Sequence, residues 1–364
     1  MVDKNQRQEF GIVMNNISST LECKSIDVLH VSEAYGGGVQ SAISRYIENS
    51  PNFTHHVLVR VRAEHNIGEH STATMEGYDG SLPSFLLHVR AYIQKTRPRV
   101  VHLHSSLAGL LRAFILPSET KIVYTPHAYA FLRRDYGRFM RMAYRAAEVL
   151  LTQRKQTVAG ISPFEVSSAV RLAGARANVV YIPNVVPHRN QPTKFTSTSD
   201  ALPKVVMVGR ISEQKDPDFL VQTALASNAQ VQWIWVGDGD SEMRTKLTNA
   251  GVVVTGWLPN DQVYRHLASA DLYLHTAQWE GAPITLLEAA SLGTPVLVRG
   301  IDCLEGLGFA MTSNDAAGAA IAVDRFFTDQ KFQRAARTAT EDSLEVHSPE
   351  VQSRALEILY GGDR

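Results

Sequence analysis

From residue 26 onward, short runs of β-branched residues alternate with longer stretches whose apolar positions recur every three or four residues. That alternation is the pattern of strand and crossover-helix units in a parallel sheet, so the predicted fold class is α/β. In the first half the runs "IDVLHVS", "HHVLVRV", "VVHLHS", "KIVYTPH", "TVAGIS" and "VVYIPN" predict strands, each followed by turn chemistry or a helical period. In the second half the runs are "KVVMVGR", "VQWIWVGDG", "GVVVTGW", "DLYLHTA" and "TPVLVRG". Between the halves, "PHRNQPTKFTSTSDALPK" is rich in Pro, Ser and Thr, has no apolar period and reads as a linker. The expected organisation is a leader over 1–25, a first domain over 26–190 and a linker over 191–203. A second domain over 204–340 follows, then a C-terminal helix over 341–364 that crosses back to the first domain.

Bulk properties narrow the function classes. A chain of 364 residues exceeds what one hydrophobic core supports, and 44% hydrophobic with 20% charged residues is the composition of a packed protein. Lys plus Arg and Asp plus Glu both number 36, so no global field draws the chain to nucleic acid or to an anionic surface. The cysteines, Cys23 and Cys303, stand far apart with no ligand-spaced neighbour, which argues against a disulfide framework or structural zinc and for a reducing compartment. No apolar run approaches the ~20 residues of a spanning helix, and the leader lacks the apolar centre of a secretory signal, so a cytoplasmic location is expected.

The chemistry gathers where strands end. In open parallel sheets, ligands sit beyond the carboxyl ends of the strands. The first strand runs into "EAYGGGVQ", where Gly36, Gly37 and Gly38 let backbone amides approach an anion or a sugar. In "WEGAPITLLEAASLG", Pro283 suits the first position of a helix whose free amides near Ile284 and Thr285 carry the positive end of the dipole. Glu280 lies before that point and Glu288 beyond it, so two carboxylates bracket an anion site. A nucleotide sugar has this layout: a central diphosphate with hydroxyl-rich groups on either side, matched by acceptor-only carboxylates. Cations are then required, and "VGRISEQK" supplies Arg210 and Lys215 after the first strand of the same half.

With these residues in place, the sequence resembles the retaining GT-B glycosyltransferases of family 4, the glycosyl transferases group 1. The resemblance rests on Glu280 to Glu288 as an E-x7-E pattern, on "VGRISEQK" and "VGDGDSEMRTKL", and on "YGGGVQ", "VVHLHS", "YTPHAYAF" and "ISPFE" in order along the first half. It implies two Rossmann-like domains with parallel sheets facing a central cleft, the donor held mainly by the second domain and the acceptor by the first. Arg210 and Lys215 would hold the diphosphate, Glu288 the ribose, and Glu280 the hydroxyls of the transferred sugar. His127 matches the family histidine near the bond being broken, and with Arg210, Lys215 and Glu280 makes up the catalytic set. Gly37, Gly38, Gly209, Gly281, Ala282, Pro283, Ile284 and Thr285 would line the donor, with Trp257 and Leu258 beside the base. The chain departs from the family at Asn184-Val185-Val186, where Asn-Gly-Val is frequent, and at Asp216, where glycine or asparagine is usual. No cofactor and no metal are expected; the substrate is a nucleotide-diphosphate sugar of UDP or GDP type.

On the acceptor side, His104 is expected to face the cleft rather than His102, on the reading that the two alternate along their strand, and Arg133 is a second candidate. His55, His56 and His275 read as structural or surface residues. Arg133, Arg134, Arg138, Arg141, Arg145 and Arg154 interleave with Phe139, Met142, Tyr144, Val149 and Leu150. This basic amphipathic helix fits either an anionic membrane surface, where lipid-linked saccharide acceptors lie, or ordinary packing with a solvated basic face. Two other functions compete: a GT-B protein that binds nucleotide sugars without transfer, and a nicotinamide dehydrogenase. The latter is disfavoured because "VGDGDSE" lacks a third glycine.

Overall fold

In the computed structural model, which describes residues 26–61, 72–114, 116–174, 178–186 and 202–361, two all-parallel sheets lie one after the other along the chain. The first alternates β1 (Val28–Ser32), α1 (Gly37–Glu48), β2 (His55–Arg60), β3 (Thr74–Tyr78), α2 (Leu82–Thr96), β4 (Val100–His104), a short helix α3 (Ser105–Ala108) and β5 (Lys121–Thr125). It closes with α4 (Arg138–Leu151), β6 (Thr157–Gly160), α5 (Pro163–Ala173) and β7 (Val179–Tyr181), in spatial order β3-β2-β1-β4-β5-β6-β7. The second contains β8 (Lys204–Val208), α6 (Pro217–Ala226), β9 (Gln232–Val236), α7 (Ser241–Asn249), β10 (Val253–Val254), α8 (Asn260–Ala268) and β11 (Leu272–His275). It continues with α9 (Ile284–Ser291), β12 (Val296–Val298), β13 (Ala310–Met311), α10 (Ala316–Thr328) and α11 (Gln330–Val346), in order β10-β9-β8-β11-β12-β13. A last helix, α12 (Pro349–Gly361), follows.

In both sheets the order of strand addition reverses beside the first strand, between β1 and β4 and between β8 and β11, which is where a doubly wound sheet opens a crevice at its carboxyl edge. The strands are buried on both faces because helices cover both sides, so β1, β4 and β6 read as continuous buried runs. Helix starts follow local chemistry. The Ser81 and Ser162 hydroxyls accept the backbone amides of Ser84 and Glu165, each with a proline in the first turn.

Eleven of these strands coincide with the runs read from sequence; β3 and β13 do not. Strand β3, "TMEGY", is a half-exposed edge strand without an apolar run, and β13 is two residues long. The leader 1–25 and most of the linker 191–203 lie outside the described residues. The C-terminal helix expected over 341–364 is two helices. Helix α11 stays on the second sheet, where Thr340 Oγ1 accepts the Val296 amide, and the chain crosses only at His347.

Helix α12 then packs on the first sheet. Gln352 accepts from Asn49 Nδ2 and donates to the Pro183 carbonyl, each at 2.7 Å, while Leu356 and Tyr360 are buried with Val28, Tyr46 and Val100. The tail therefore straps the second domain to the first. Leu356→Ala is expected to destabilise the protein by about 2–5 kcal/mol in urea unfolding, the usual cost of emptying a fully buried leucine site. A loss below about 0.5 kcal/mol, the scale of a surface substitution, would contradict this role for the helix.

Candidate active site

The centre of the crevice is an ion pair. After β8 the chain passes Gly209 and Arg210 into a 3₁₀ turn, Glu213–Lys215, and the Lys215 ammonium donates to Glu280 Oε1 in the loop after β11. Glu280 is 8% exposed. Burial pushes its carboxyl up, but the Lys215 charge beside it and the His275 ring, whose Nε2 lies 3.5 Å away, outweigh burial and bring it down to about 2. Its backbone amide points at Cys303 Sγ, 3.3 Å away.

The two loops that carry the pair are laced together. The Gln278 amide donates to the Gln214 carbonyl at 2.9 Å, Gln214 Nε2 to the Trp279 carbonyl at 3.1 Å, and Thr276 Oγ1 to the Lys215 carbonyl at 2.5 Å. Asp216 has φ +53°, the left-handed region that glycine or asparagine adopts most easily. It is held there by Arg299, which donates to Asp216 Oδ2 at 2.6 Å and to the Thr276 carbonyl at 3.1 Å while lying 4.0 Å over the Phe219 ring. The departure from the family at Asp216 thus comes with its own brace.

Helix α9 starts beside this pair. Pro283 is its cap rather than its first residue, one position earlier than expected, and no side chain caps the following amides. Glu288, one turn further in, accepts from Tyr264 Oη at 2.8 Å, and Thr285 Oγ1 accepts from Tyr273 Oη at 3.1 Å. Gly281 is pressed against the first domain: a Cβ there would stand 2.9 Å from the Ala128 amide and 3.2 Å from Glu165 Oε1. Asn184 Nδ2 donates to the Ala282 carbonyl at 2.8 Å across the same junction.

On the first-domain side, His127 and Ala128 both have positive φ, +49° and +74°. Left-handed geometry at two adjacent non-glycine residues costs roughly 1 kcal/mol or more each and needs external support. Glu165 supplies it. Fully buried, it accepts the Ala128 amide at 2.6 Å and the Ile161 amide at 3.0 Å. Burial raises its carboxyl to about 7. Gly37, with φ +53°, and Gly38 are exposed at the carboxyl end of β1, with open space around each.

The structure brings Lys215, Glu280, Gly281, Ala282 and Pro283 together next to the His127 loop. Arg210 is exposed and no side chain pairs with it among the described residues. Trp257 is 65% exposed, whereas Leu258 packs partly on the second core. His104 requires a correction. Residues two apart on a strand share a face, so His102 and His104 lie together, ring centroids 4.1 Å apart, and both are completely buried. Neither can touch an acceptor. Arg133 pairs with Asp135 and lies 4.2 Å over the Tyr136 ring. His275, read as structural or surface, belongs to the site through Glu280, and His55 is buried in a hydrogen-bonded histidine row. Glu165 and Arg299 are not among the residues expected from sequence, although Glu165 closes the helix-start signature "SPFE" and Arg299 follows a strand directly. Among the described residues one group, His30, His102 and His104, brings metal-ligating atoms within 4.8 Å of one another, inside the first domain.

Comparison with known proteins bears on the family and the fold. The family model for glycosyl transferase 4-like domains matches residues 37–185, and that for glycosyl transferases group 1 matches residues 202–329. The chain is 24% identical to an uncharacterised 41.2 kDa protein in the cps region of Klebsiella pneumoniae, covering 77% of this chain and 82% of that one. It is 25% identical to the UDP-Gal:alpha-D-GlcNAc-diphosphoundecaprenol alpha-1,3-galactosyltransferase of Escherichia coli, covering 63% and 66%. In fold it resembles a sucrose-phosphate synthase from Thermosynechococcus elongatus, with a TM-score of 0.74 at 17% identity over 92% of this chain and 98% of that one.

The electrostatics of Glu280 are open to test. Its folded value lies below the ordinary carboxylate value of 4.5, so the ionised group stabilises the fold above 4.5 and that contribution disappears as pH falls from there toward about 2. The stability difference between the native protein and Glu280→Gln, measured by urea unfolding, should shrink across that window. A difference that stays flat would contradict the ion-pair assignment.

Proposed function

The chain belongs to the GT-B glycosyltransferases of family 4 type, glycosyl transferases group 1, and we propose a specific reaction for it. It moves a hexose from a UDP- or GDP-type nucleotide sugar to a hydroxyl of a glycan or lipid-linked saccharide in surface-polysaccharide synthesis. Anomeric configuration is retained and no metal is used. The observation that carries this reading is the Lys215–Glu280 pair at the start of α9, pressed through Gly281 against the His127 loop. There the diphosphate would meet Lys215, Arg210 and the uncapped amides of α9. Glu280, acceptor-only while ionised, would take hydroxyls of the transferred sugar, and Glu288 those of the ribose.

Of the two paths that would retain configuration, Glu280 fits the one without a covalent intermediate. A carboxylate held at about 2 by a lysine is a weak nucleophile, which disfavours a covalent sugar on Glu280. In the alternative path the leaving phosphate oxygen takes the proton of the incoming hydroxyl on the same face as the bond breaks, its charge stabilised by Lys215, Arg210 and amides. These cations and the helix end supply the positive potential that a divalent ion supplies elsewhere.

The polysaccharide setting draws on the two relatives, one located in a cps region and one named for a UDP-Gal donor and a diphosphoundecaprenol acceptor. Helix α4 fits a lipid-linked acceptor. Phe139, Met142 and Leu150 are 86%, 58% and 71% exposed, Arg138, Arg141 and Arg145 are exposed with them, and Glu148 is the one buried residue of the helix. A helix with this much bare apolar surface is not core-packed, and basic residues beside it suit an anionic bilayer surface. Among the described residues no helix is long and apolar enough to cross a membrane.

Transfer assays with a panel of nucleotide sugars, reading product anomers by NMR, test the reaction. Glu280→Ala should abolish most transfer while nucleotide affinity changes little. Lys215→Ala should weaken both, affinity by roughly tenfold or more for a lost charge-assisted hydrogen bond. Unimpaired transfer in both variants would refute these roles. Tight nucleotide binding by the native protein without transfer to any acceptor would instead identify a non-catalytic GT-B binder. Separately, Arg138→Glu with Arg141→Glu should reduce sedimentation with anionic liposomes; unchanged binding would remove the membrane role.

A further inference from the structure

Four histidine rings form a hydrogen-bonded row across the first sheet, ending at His127. His55 Nδ1 lies 3.1 Å from His30 Nε2, His30 Nδ1 lies 3.0 Å from His104 Nε2, and His104 Nδ1 lies 3.0 Å from His127 Nε2. The strands dictate the alignment: His55 opens β2, His30 sits mid-way along β1, and His104 closes β4 on the same face. The rings of His30, His55 and His104 are stacked in turn, with Tyr46 of α1 and Tyr360 of α12 against them.

The far end of the row sets its direction. His55 Nε2 lies 3.0 Å from the Ser50 carbonyl and 3.1 Å from Ser50 Oγ, whose own hydrogen goes to the Tyr46 carbonyl. A carbonyl only accepts, so His55 Nε2 carries the hydrogen. A neutral imidazole has one donor and one acceptor nitrogen, so His55 Nδ1 accepts from His30 Nε2. By the same rule His30 Nδ1 accepts from His104 Nε2, and His104 Nδ1 accepts from His127 Nε2. Every ring is thereby an Nε2–H tautomer, and His127 Nδ1 is left with the lone pair. An extra proton on His104 would reverse its bond to His127, and burial opposes that proton, holding His104 well below the ordinary histidine value and His127 at about 3.

We propose that His55, His30 and His104 are positioning residues whose hydrogen bonds lock His127 in the Nε2–H tautomer, so that Nδ1 is presented as an acceptor for a hydroxyl of the bound sugar. The sugar rests on the function proposed above; the tautomer does not and is measurable without substrate. Glu165 fixes the His127 backbone and the row fixes its ring, which is how a reacting group is held without relying on its own loop. The alternative use of these side chains is a metal at His30, His102 and His104. His102 argues against it: its Nδ1 is 2.8 Å from Tyr360 Oη and its Nε2 is 2.8 Å from Thr125 Oγ1, so both of its nitrogens are engaged.

The test is long-range proton–nitrogen NMR of the full chain labelled with ¹⁵N-histidine, assigned with single His→Gln variants. Native protein should show His127 protonated at Nε2 and bare at Nδ1. His30→Leu removes the acceptor for His104 Nε2–H, so the Nδ1–H form of His127 should become populated. Its kcat should fall about tenfold, the worth of roughly one hydrogen bond, with little change in donor KM. His30→Gln, which both donates and accepts, should restore the native tautomer and most of the rate. An Nδ1–H His127 in the native protein, an unchanged His127 tautomer in His30→Leu, or one equivalent of zinc retained through desalting would each overturn the proposal. If His30→Leu fails to fold, the native spectrum and His30→Gln still decide it.

Discussion

A carboxylate at Glu280, almost wholly out of contact with water, stays ionised because a lysine lies directly on it. Removing either charge would leave the other buried and unpaired, the costly case for an internal ion pair. The rest of the crevice is built to keep the two groups in register. Lys215 is carried by a turn tied to the loop of Glu280 through Gln214, Gln278 and Thr276, and Asp216 behind it is pinned by Arg299. The pair presents two functions at one point: a positive charge for an anion and an acceptor for hydroxyls. Placed at the uncapped start of a helix, that combination suits a sugar diphosphate better than either group would alone.

The first domain closes the other side by backbone approach. Gly281 comes near enough to Ala128 that a methyl group would not fit, and Asn184 joins the junction by donating to Ala282 while its carbonyl accepts from His347. His347 is where the chain turns back, so the tail helix and the interdomain contact share one residue pair. In Asn184-Val185-Val186 the asparagine, which the family pattern shares, makes the junction, and the departure itself is Val185, whose side chain is buried. His127 sits in the same junction, strained in its backbone and supported from behind by Glu165 and by the histidine row.

Much of the architecture was legible because burial on both faces forces continuous apolar strands, and the period-3.6 helices between them leave a clear alternation. What escaped had no such signature: β3 is an edge strand with Glu76 and Gly77 in its short run, and β13 has two residues. The E-x7-E spacing and the Arg210 and Lys215 positions were visible as charges at strand ends. The Lys215–Glu280 contact was not, because it joins loops 65 residues apart. The burial of His104 follows from positions two apart on a strand sharing a face, and the row joining His55, His30, His104 and His127 depends on strand register that the sequence does not display. Glu165 and Arg299 were hidden for a common reason: each acts by bracing another residue's backbone, which depends on where distant loops meet.

The proposed function requires one crevice, at the carboxyl edges of β8 and β11, to receive the diphosphate of a sugar donor, with Glu280 beyond it on the sugar. A crystal structure with an intact nucleotide sugar tests this most directly. The two phosphates are expected between Lys215, Arg210 and the first amides of α9, the hexose hydroxyls on Glu280, and the ribose on Glu288. A donor bound elsewhere, for instance in the basic hollow of about 780 Å³ lined by Arg99, Lys121 and Lys155 on the first domain, or one leaving the Lys215–Glu280 pair untouched, would contradict it.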